Sequence, residues 1–150
     1  MVTNRSRAPE CVILVGLPGA GKSTFVRSHY PAHVHVSKDD FPSGARDKQA
    51  RQDAMLRAAL GARQSVVVDN TNVTVADRAA IIAIAREFDA WITGVYIDAS
   101  VREAMARNEG RQGRAKVPKV AIFTAAKRLV PPVKEEGFDE LRIERSSGLP

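Results

Sequence analysis

The sequence predicts an α/β fold in three layers, a parallel sheet of four to five strands with helices on both faces. Three observations predict it. Short apolar runs recur along the chain at residues 11–15, 66–68 and 91–97, and stretches with helical spacing of their apolar residues separate them. The first run is continuous rather than alternating, as expected of a strand buried on both faces. The first run leads into Gly16-Leu17-Pro18-Gly19-Ala20-Gly21-Lys22-Ser23-Thr24, a glycine-rich loop at a strand-to-helix junction.

Each element follows from its residues. Cys11-Val12-Ile13-Leu14-Val15 is the first strand, and residues 1–10 form a polar leader before it. The helix after the glycine loop ends near Tyr30-Pro31, because a proline disfavours helix in the residue before it. His33-Val34-His35-Val36-Ser37 alternates polar and apolar, the pattern of a second strand. Its two histidines share a face and lack a third ligand nearby, so they read as solvent-facing or packing groups rather than a metal site. A long helix spans residues 46–62, with Ala54, Met55, Ala58 and Ala59 as a partial packing face. Ser65-Val66-Val67-Val68-Asp69 is a β-branched third strand.

Thr74 is suited to cap the next helix, over residues 75–88, which places Ala79, Ile82 and Ala83 on one face, broadened by Ile81, Ile84 and Ala85. Residues 91–98 form the fourth strand. Ser100, with Glu103 three positions on, has the pattern of a capping box for a helix over 101–107. Residues 108–117 are rich in glycine and arginine, and Pro118 opens a helix over 119–129 that Val130-Pro131-Pro132 ends. A short fifth strand is expected over 141–144, and residues 146–150 read as a tail. The expected organisation is one domain over residues 11–145.

Composition bounds the function classes. With 44% hydrophobic and 27% charged residues the chain resembles an ordinary globular domain, and its longest apolar runs fall far short of a bilayer span. Cys11 is the single cysteine, so no internal disulfide forms, and its place in a strand assigns it to the core. A polar N-terminus without an apolar signal core makes the cytoplasm the expected compartment. The net charge of +6 suits a polyanionic partner.

In a parallel sheet of this kind, loops at the carboxyl ends of the strands gather along one edge. Three sequence-distant loops should therefore meet: 16–23, 38–41 and 69–74. In the first, Gly16, Gly19 and Gly21 let successive N–H groups of the 16–24 loop turn inward around phosphate, and the helix opening behind them adds its positive end. Lys22 reaches the β- and γ-phosphates of ATP, and Ser23 offers a hydroxyl to Mg²⁺. In the second, Asp39 stands where a carboxylate accepts a proton from an acceptor hydroxyl, with Asp40 as a neighbour that caps or pairs. In the third, Asp69 ends an apolar strand, the usual place for an acid near Mg²⁺. Asn70 follows where an ATP-hydrolysing motor commonly has a carboxylate, which argues against plain hydrolysis, while Thr71 and Asn72 add neutral donors and acceptors toward the second substrate. Residues 102–119 hold six basic side chains against Glu103 and Glu109, with Gly110 and Gly113 as hinges. This reads as an arginine-rich lid, in which Arg107 and Arg111 lie one turn apart if the helix continues that far.

These blocks, in this order, resemble the kinase domain of the polynucleotide 5′-hydroxyl kinase family, a branch of the P-loop kinases. The resemblance rests on the 16–24 loop, Val36-Ser37-Lys38-Asp39-Asp40, Asp69-Asn70-Thr71-Asn72, Arg107-Asn108 with Arg111, Val117-Pro118, and Pro131-Pro132 ahead of Glu136-Gly137-Phe138. It covers residues 11–140. It implies ATP- and Mg²⁺-dependent transfer of the γ-phosphate to the 5′-hydroxyl of DNA or RNA. Lys22 and Ser23 match phosphate and metal contacts, Asp39 the general base, Arg107 and Arg111 the lid arginines, and residues 69–72 the acceptor side. Some members carry an arginine shortly after the base aspartate. Here Phe41-Pro42 stands there, with Arg46 as the available substitute. The segment from Arg111 to Val117 is slightly long, which leaves Arg111 and Arg114 both as candidates for the second lid arginine.

Two other readings fit the same residues less closely. One is a kinase of this architecture acting on a small-molecule hydroxyl such as a sugar, nucleoside or antibiotic. The other is a non-catalytic ATP-dependent switch, which would leave Asp39 without a task.

Overall fold

In a computed structural model, residues 8–145 are described, and they form one five-stranded parallel sheet in the order β2-β3-β1-β4-β5. The strands are β1 (Glu10–Val15), β2 (Val34–Val36), β3 (Val66–Val68), β4 (Trp91–Asp98) and β5 (Glu140–Arg145). The helices are α1 (Lys22–His29), α2 (Lys48–Gly61), α3 (Val75–Glu87), α4 (Val101–Glu109) and α5 (Lys119–Arg128). Of the expected leader over residues 1–10, residues 1–7 lie outside the described residues, as does the expected tail over 146–150; Glu10 already belongs to β1.

Alternation along β1 divides the core in two. Val12 and Leu14 face α1, α4 and α5, where Phe25, Ala104 and Ile122 are buried. Cys11 and Ile13 face α2 and α3, among Leu56, Leu60, Ile81 and Ala85. Cys11 is core as expected, and burial, with the Glu10 charge beside it, pushes its thiol up to about 12. Gly94 on β4 has a packing role: a Cβ there would lie 2.8 Å from the Phe138 ring.

The helix faces differ from their expected positions. On α2 the buried residues are Gln52, Leu56, Ala59 and Leu60, while Ala54 and Ala58 are exposed. On α3 they are Arg78, Ile81, Ile82, Ile84 and Ala85, while Ala79 and Ala83 are exposed. The cause is the same in both. Alanine favours helix wherever it stands and gains little from burial, whereas leucine and isoleucine gain most and turn the helix toward themselves. A polar residue then fills one buried position per helix, in each case because a distant partner satisfies it. The caps match expectation: Thr74 accepts from the Asp77 N–H, and Ser100 and Glu103 form the capping box.

The buried polar residue of α3 ties together the edge that carries the site. Arg78 is fully buried; its Nε and Nη2 donate to the two carboxylate oxygens of Glu136 at 2.8 and 2.9 Å. Its Nη1 donates to the Asn72 carbonyl at 2.9 Å. Asn72 stands at φ 46°, a left-handed conformation that asparagine tolerates, and its Nδ2 donates to the Leu14 carbonyl at 2.7 Å. The Gly16 N–H donates to the Thr71 carbonyl at 3.0 Å. The loop after β3 is thereby bonded to the end of β1 on one side and to the Glu136-Gly137-Phe138 block on the other.

Burial pushes the Glu136 carboxyl up, but the Arg78 hydrogen bonds, the Val133 N–H and the Arg78 charge together hold it below its usual value. Its stabilising contribution is therefore full above the ordinary value of 4.5 and is lost as pH falls through the depressed one. Glu136→Gln leaves a buried guanidinium uncompensated and should cost about 3–5 kcal/mol in urea unfolding. The variant should also show a shallower loss of stability on acidification than the wild type. The double variant Arg78→Met/Glu136→Leu, which removes both charges, should recover most of that stability.

Candidate active site

The glycine loop is shaped by backbone that side chains rarely adopt. Gly19 has φ 83° and Gly21 φ 99°, and a Cβ on Gly19 would lie 2.4 Å from the Ala104 carbonyl oxygen. Gly21 is the N-cap of α1 and offers no side chain to its first turn, so those N–H groups remain open to an anion. Lys22 is buried, with Nζ donating to the carbonyls of Leu17 at 2.7 Å and Gly16 at 3.1 Å. Burial lowers its ammonium to about 8, against an upward pull from Asp69; Arg111 pushes it down and Asp39 up.

Ser23 Oγ donates to Asp69 Oδ2 at 3.1 Å, and His35 Nε2 meets the same oxygen at 2.9 Å. His35 Nδ1 lies 3.7 Å from Asp40 Oδ2, so the pairing expected of Asp40 is with this ring. Neighbouring strands explain the meeting: in the parallel register of β2 and β3, His35 is opposite Val67, and Asp69 follows two residues on. Burial raises the Asp69 carboxyl, but the His35 hydrogen bond, the Lys22 and His35 charges and the Ser23 hydroxyl bring it below its usual value. The Asp69 hydrogen bond in turn raises His35, against its partial burial. Ser23 and Asp69 present oxygens, the ligand type that Mg²⁺ takes, and their separation brings them to one point. Among the described residues no group of three or more His, Cys, Asp or Glu side chains is arranged to hold a metal by itself.

After β2 a single 3₁₀ turn, Lys38–Asp40, carries Asp39. Ser37 caps it by accepting the Asp39 N–H at 3.2 Å. The Lys38 N–H donates to Asn70 Oδ1 at 2.9 Å, and Asn70 Nδ2 donates to Gln52 Oε1 at 2.6 Å. Asp39 itself is exposed on the cleft.

These loops open onto one cleft of about 1020 Å³. Lys22, Ser23, Thr24, Asp39, Asp69, Asn70, Thr71, Asn72 and Arg111 all line it, with Pro18 and Gly19 from the loop. Gly16, Leu17, Ala20 and Gly21 lie beneath, as the framework of the loop rather than its surface. Arg46 is exposed and does not line the cleft. Helix α4 ends at Glu109, two residues beyond its expected end but short of Arg111, so the condition for Arg107 and Arg111 to share a helical turn is not met. Arg107 instead donates to the Ala20 carbonyl at 3.3 Å, gripping the phosphate loop from behind, and Arg111 reaches the cleft from beyond the helix. The Arg114 side chain lies outside what the structure describes. Of the acceptor block, Asn70 is bonded at both ends of its amide and Asn72 donates to the fold.

Several lining residues carried no signal in the sequence. His35 was visible only as part of an alternating strand, and Arg27, Gln52 and Arg128 belong to no motif. Sequence spacing alone has no way to bring residues 27, 52 and 128 to one cleft.

A parallel sheet with a phosphate loop after its central strand, and acidic loops after the two strands on one side of it, defines a P-loop kinase fold. The family model described as an AAA domain matches residues 11–132, and the chain belongs to that family. It is 31% identical over 139 residues to the bifunctional polynucleotide phosphatase/kinase of Schizosaccharomyces pombe, a match covering 89% of this chain and 33% of that protein. The chain thus spans about a third of the length of the curated relatives it matches. A chain in the structure of the Pnkp1/Rnl/Hen1 RNA repair complex is 29% identical with a TM-score of 0.71, over 82% of this chain and 44% of that one. A gluconokinase from Sinorhizobium meliloti has the same fold, with a TM-score of 0.67 at 19% identity over 96% of this chain and 86% of that one. Two of these are kinases by name, the S. pombe polynucleotide phosphatase/kinase and the S. meliloti gluconokinase.

Lys22 gives the site a pH signature. Its ammonium sits near 8 in the free protein, and bound phosphate oxygens should raise it. ATP binding just above that pH should take up a proton, and affinity should fall as pH rises further. Calorimetry in two buffers of different ionisation heat reads the uptake, and Lys22→Met should abolish it.

Proposed function

We propose that this chain transfers the γ-phosphate of ATP to the 5′-hydroxyl of a DNA or RNA end. The observation that carries the reading is the convergence of the phosphate loop, Asp39 and Asp69 on one cleft. Lys22 and the first N–H groups of α1 hold the β- and γ-phosphates. Asp39 accepts the proton of the attacking hydroxyl as its oxygen bonds to the γ-phosphorus and the bond to the ADP oxygen breaks. Arg111 faces the charge that spreads over the transferring group, and Arg107, bonded to Ala20, steadies the loop beneath it. Together they act as the arginine lid. Ser23 and Asp69 would hold Mg²⁺, which would supply neutralisation of the phosphates' charge. Holding it would require Asp69 Oδ2 to share or yield its contact with His35.

The nucleic-acid acceptor is supported by the family resemblance, by the S. pombe relative and by the RNA repair structure. The basic side chains on the cleft, Arg27, Lys38, Arg111 and Arg128, suit a substrate that brings its own phosphates. A small-molecule hydroxyl is the second reading, because the gluconokinase likeness means that the fold itself does not choose the acceptor.

A transfer assay from γ-labelled ATP, with matched DNA, RNA, nucleoside and sugar acceptors, decides between them. Label on 5′-hydroxyl ends is the expected outcome, and label on sugars or nucleosides alone would establish the second reading. Asp39→Asn should lower kcat by roughly 10²–10⁴ while ATP affinity stays near the wild-type value. Full activity in that variant would move the base elsewhere.

A further inference from the structure

Gln52 lies on α2, outside every motif, and is buried to 2% exposure while still lining the cleft. Its hydrogen bonds fix which way round it sits. Asn70 accepts the Lys38 N–H, so its oxygen faces Lys38 and its NH₂ faces Gln52. An NH₂ group only donates, and Gln52 therefore presents Oε1 to it, at 2.6 Å. Nε2 is left with two N–H groups and no acceptor among the described residues, on a side chain that borders the same cleft as Asp39. Nε2 is thus the end of the amide that opens onto the cleft, where an entering oxygen meets a donor already held in place through Oε1.

Resting on the phosphotransfer reading above, we propose that Gln52 is a specificity-determining residue for the acceptor. Its amide nitrogen donates to an oxygen of the terminal nucleotide whose hydroxyl is phosphorylated. Its amide oxygen, through Asn70, holds the backbone turn that carries Asp39. One side chain thereby links acceptor recognition to the placement of the general base. The sugar and phosphodiester oxygens of that nucleotide share the chemistry required.

Two variants separate the two ends of the side chain. Gln52→Glu keeps an oxygen for Asn70 and removes the donor. Gln52→Met keeps the length and removes both. Each should raise the acceptor KM by about tenfold or more, the size of one lost hydrogen bond to a substrate, with the ATP KM little changed. Gln52→Met should in addition lower kcat at saturating acceptor more than Gln52→Glu does, and its Lys38 amide should exchange faster with solvent. Acceptors with and without a 2′-hydroxyl, and with a methylphosphonate in place of the first phosphodiester, tell the oxygens apart by which substitution makes the Gln52→Glu penalty vanish. An unchanged acceptor KM in either variant overturns the proposal, and a rise confined to Gln52→Glu would mean charge repulsion and overturn it as well. Failure of the kinase reading looks different: the wild type then labels no nucleic-acid end. In that event Lys38 amide exchange still decides the relay, which is overturned if Gln52→Met and the wild type exchange alike.

Discussion

The buried pair of Arg78 and Glu136 is the interaction on which the site's geometry depends. Its guanidinium has three separate tasks, two hydrogen bonds to a carboxylate and one to the Asn72 carbonyl. Taking two charges out of water gains little by itself, since the loss of hydration offsets most of their attraction. What the pair supplies is position. It joins α3 to the turn before β5, and it holds the left-handed backbone of Asn72 where that residue reaches the end of β1. The strand that feeds the phosphate loop and the strand that presents Asp69 are thereby locked in one register at their carboxyl ends.

That lock explains why a cluster of polar loops can be stiff. Residues 69–72 form no regular structure, yet each has a distant partner: Asp69 with Ser23 and His35, Asn70 with Lys38 and Gln52, Thr71 with Gly16, Asn72 with Leu14 and Arg78. A network tied at every residue holds one arrangement rather than several. Phosphoryl transfer asks for that, because the protein contributes placement and charge more than covalent chemistry. Lys22 is held in the same way, by two loop carbonyls that a phosphate would replace.

Much of this was legible in the sequence where a local pattern carries the information. The strands follow from continuous β-branched runs, the phosphate loop from glycine spacing beside Lys22 and Ser23, and the caps at Thr74 and Ser100 from side chains that bond within three residues. The misread helix faces came from counting alanines as core markers, although Ala54, Ala58, Ala79 and Ala83 face solvent. Whether Arg107 and Arg111 share a helical turn is not legible from periodicity, which does not say where α4 stops; it stops before Arg111. The residues that stayed hidden share one property. Arg78, Gln52 and His35 each bond a residue far along the chain, Arg78 to Glu136 58 positions away, Gln52 to Asn70 18 away and His35 to Asp69 34 away. Each is polar in a stretch whose period predicts an apolar or exposed residue, and only the partner brought by the fold explains it.

The same contrast bears on how acceptor choice is built. The phosphate side of the cleft is made by backbone N–H groups and a lysine, groups that read charge and ignore the rest of a substrate. On the proposed function the acceptor side is made by side chains from α2 and from the loops after β2 and β3, among them Gln52 and Asn70, which are joined by a long-range bond. Substitutions on the first side would then act on nucleotide binding, and those on the second on the acceptor and on the base that receives its proton. A fold shared with a gluconokinase is therefore compatible with a different acceptor, because the sheet positions the loops and the loops' own side chains meet the substrate. In this chain those side chains are polar amides and basic groups around Asp39, the chemistry on which the proposed nucleic-acid acceptor rests.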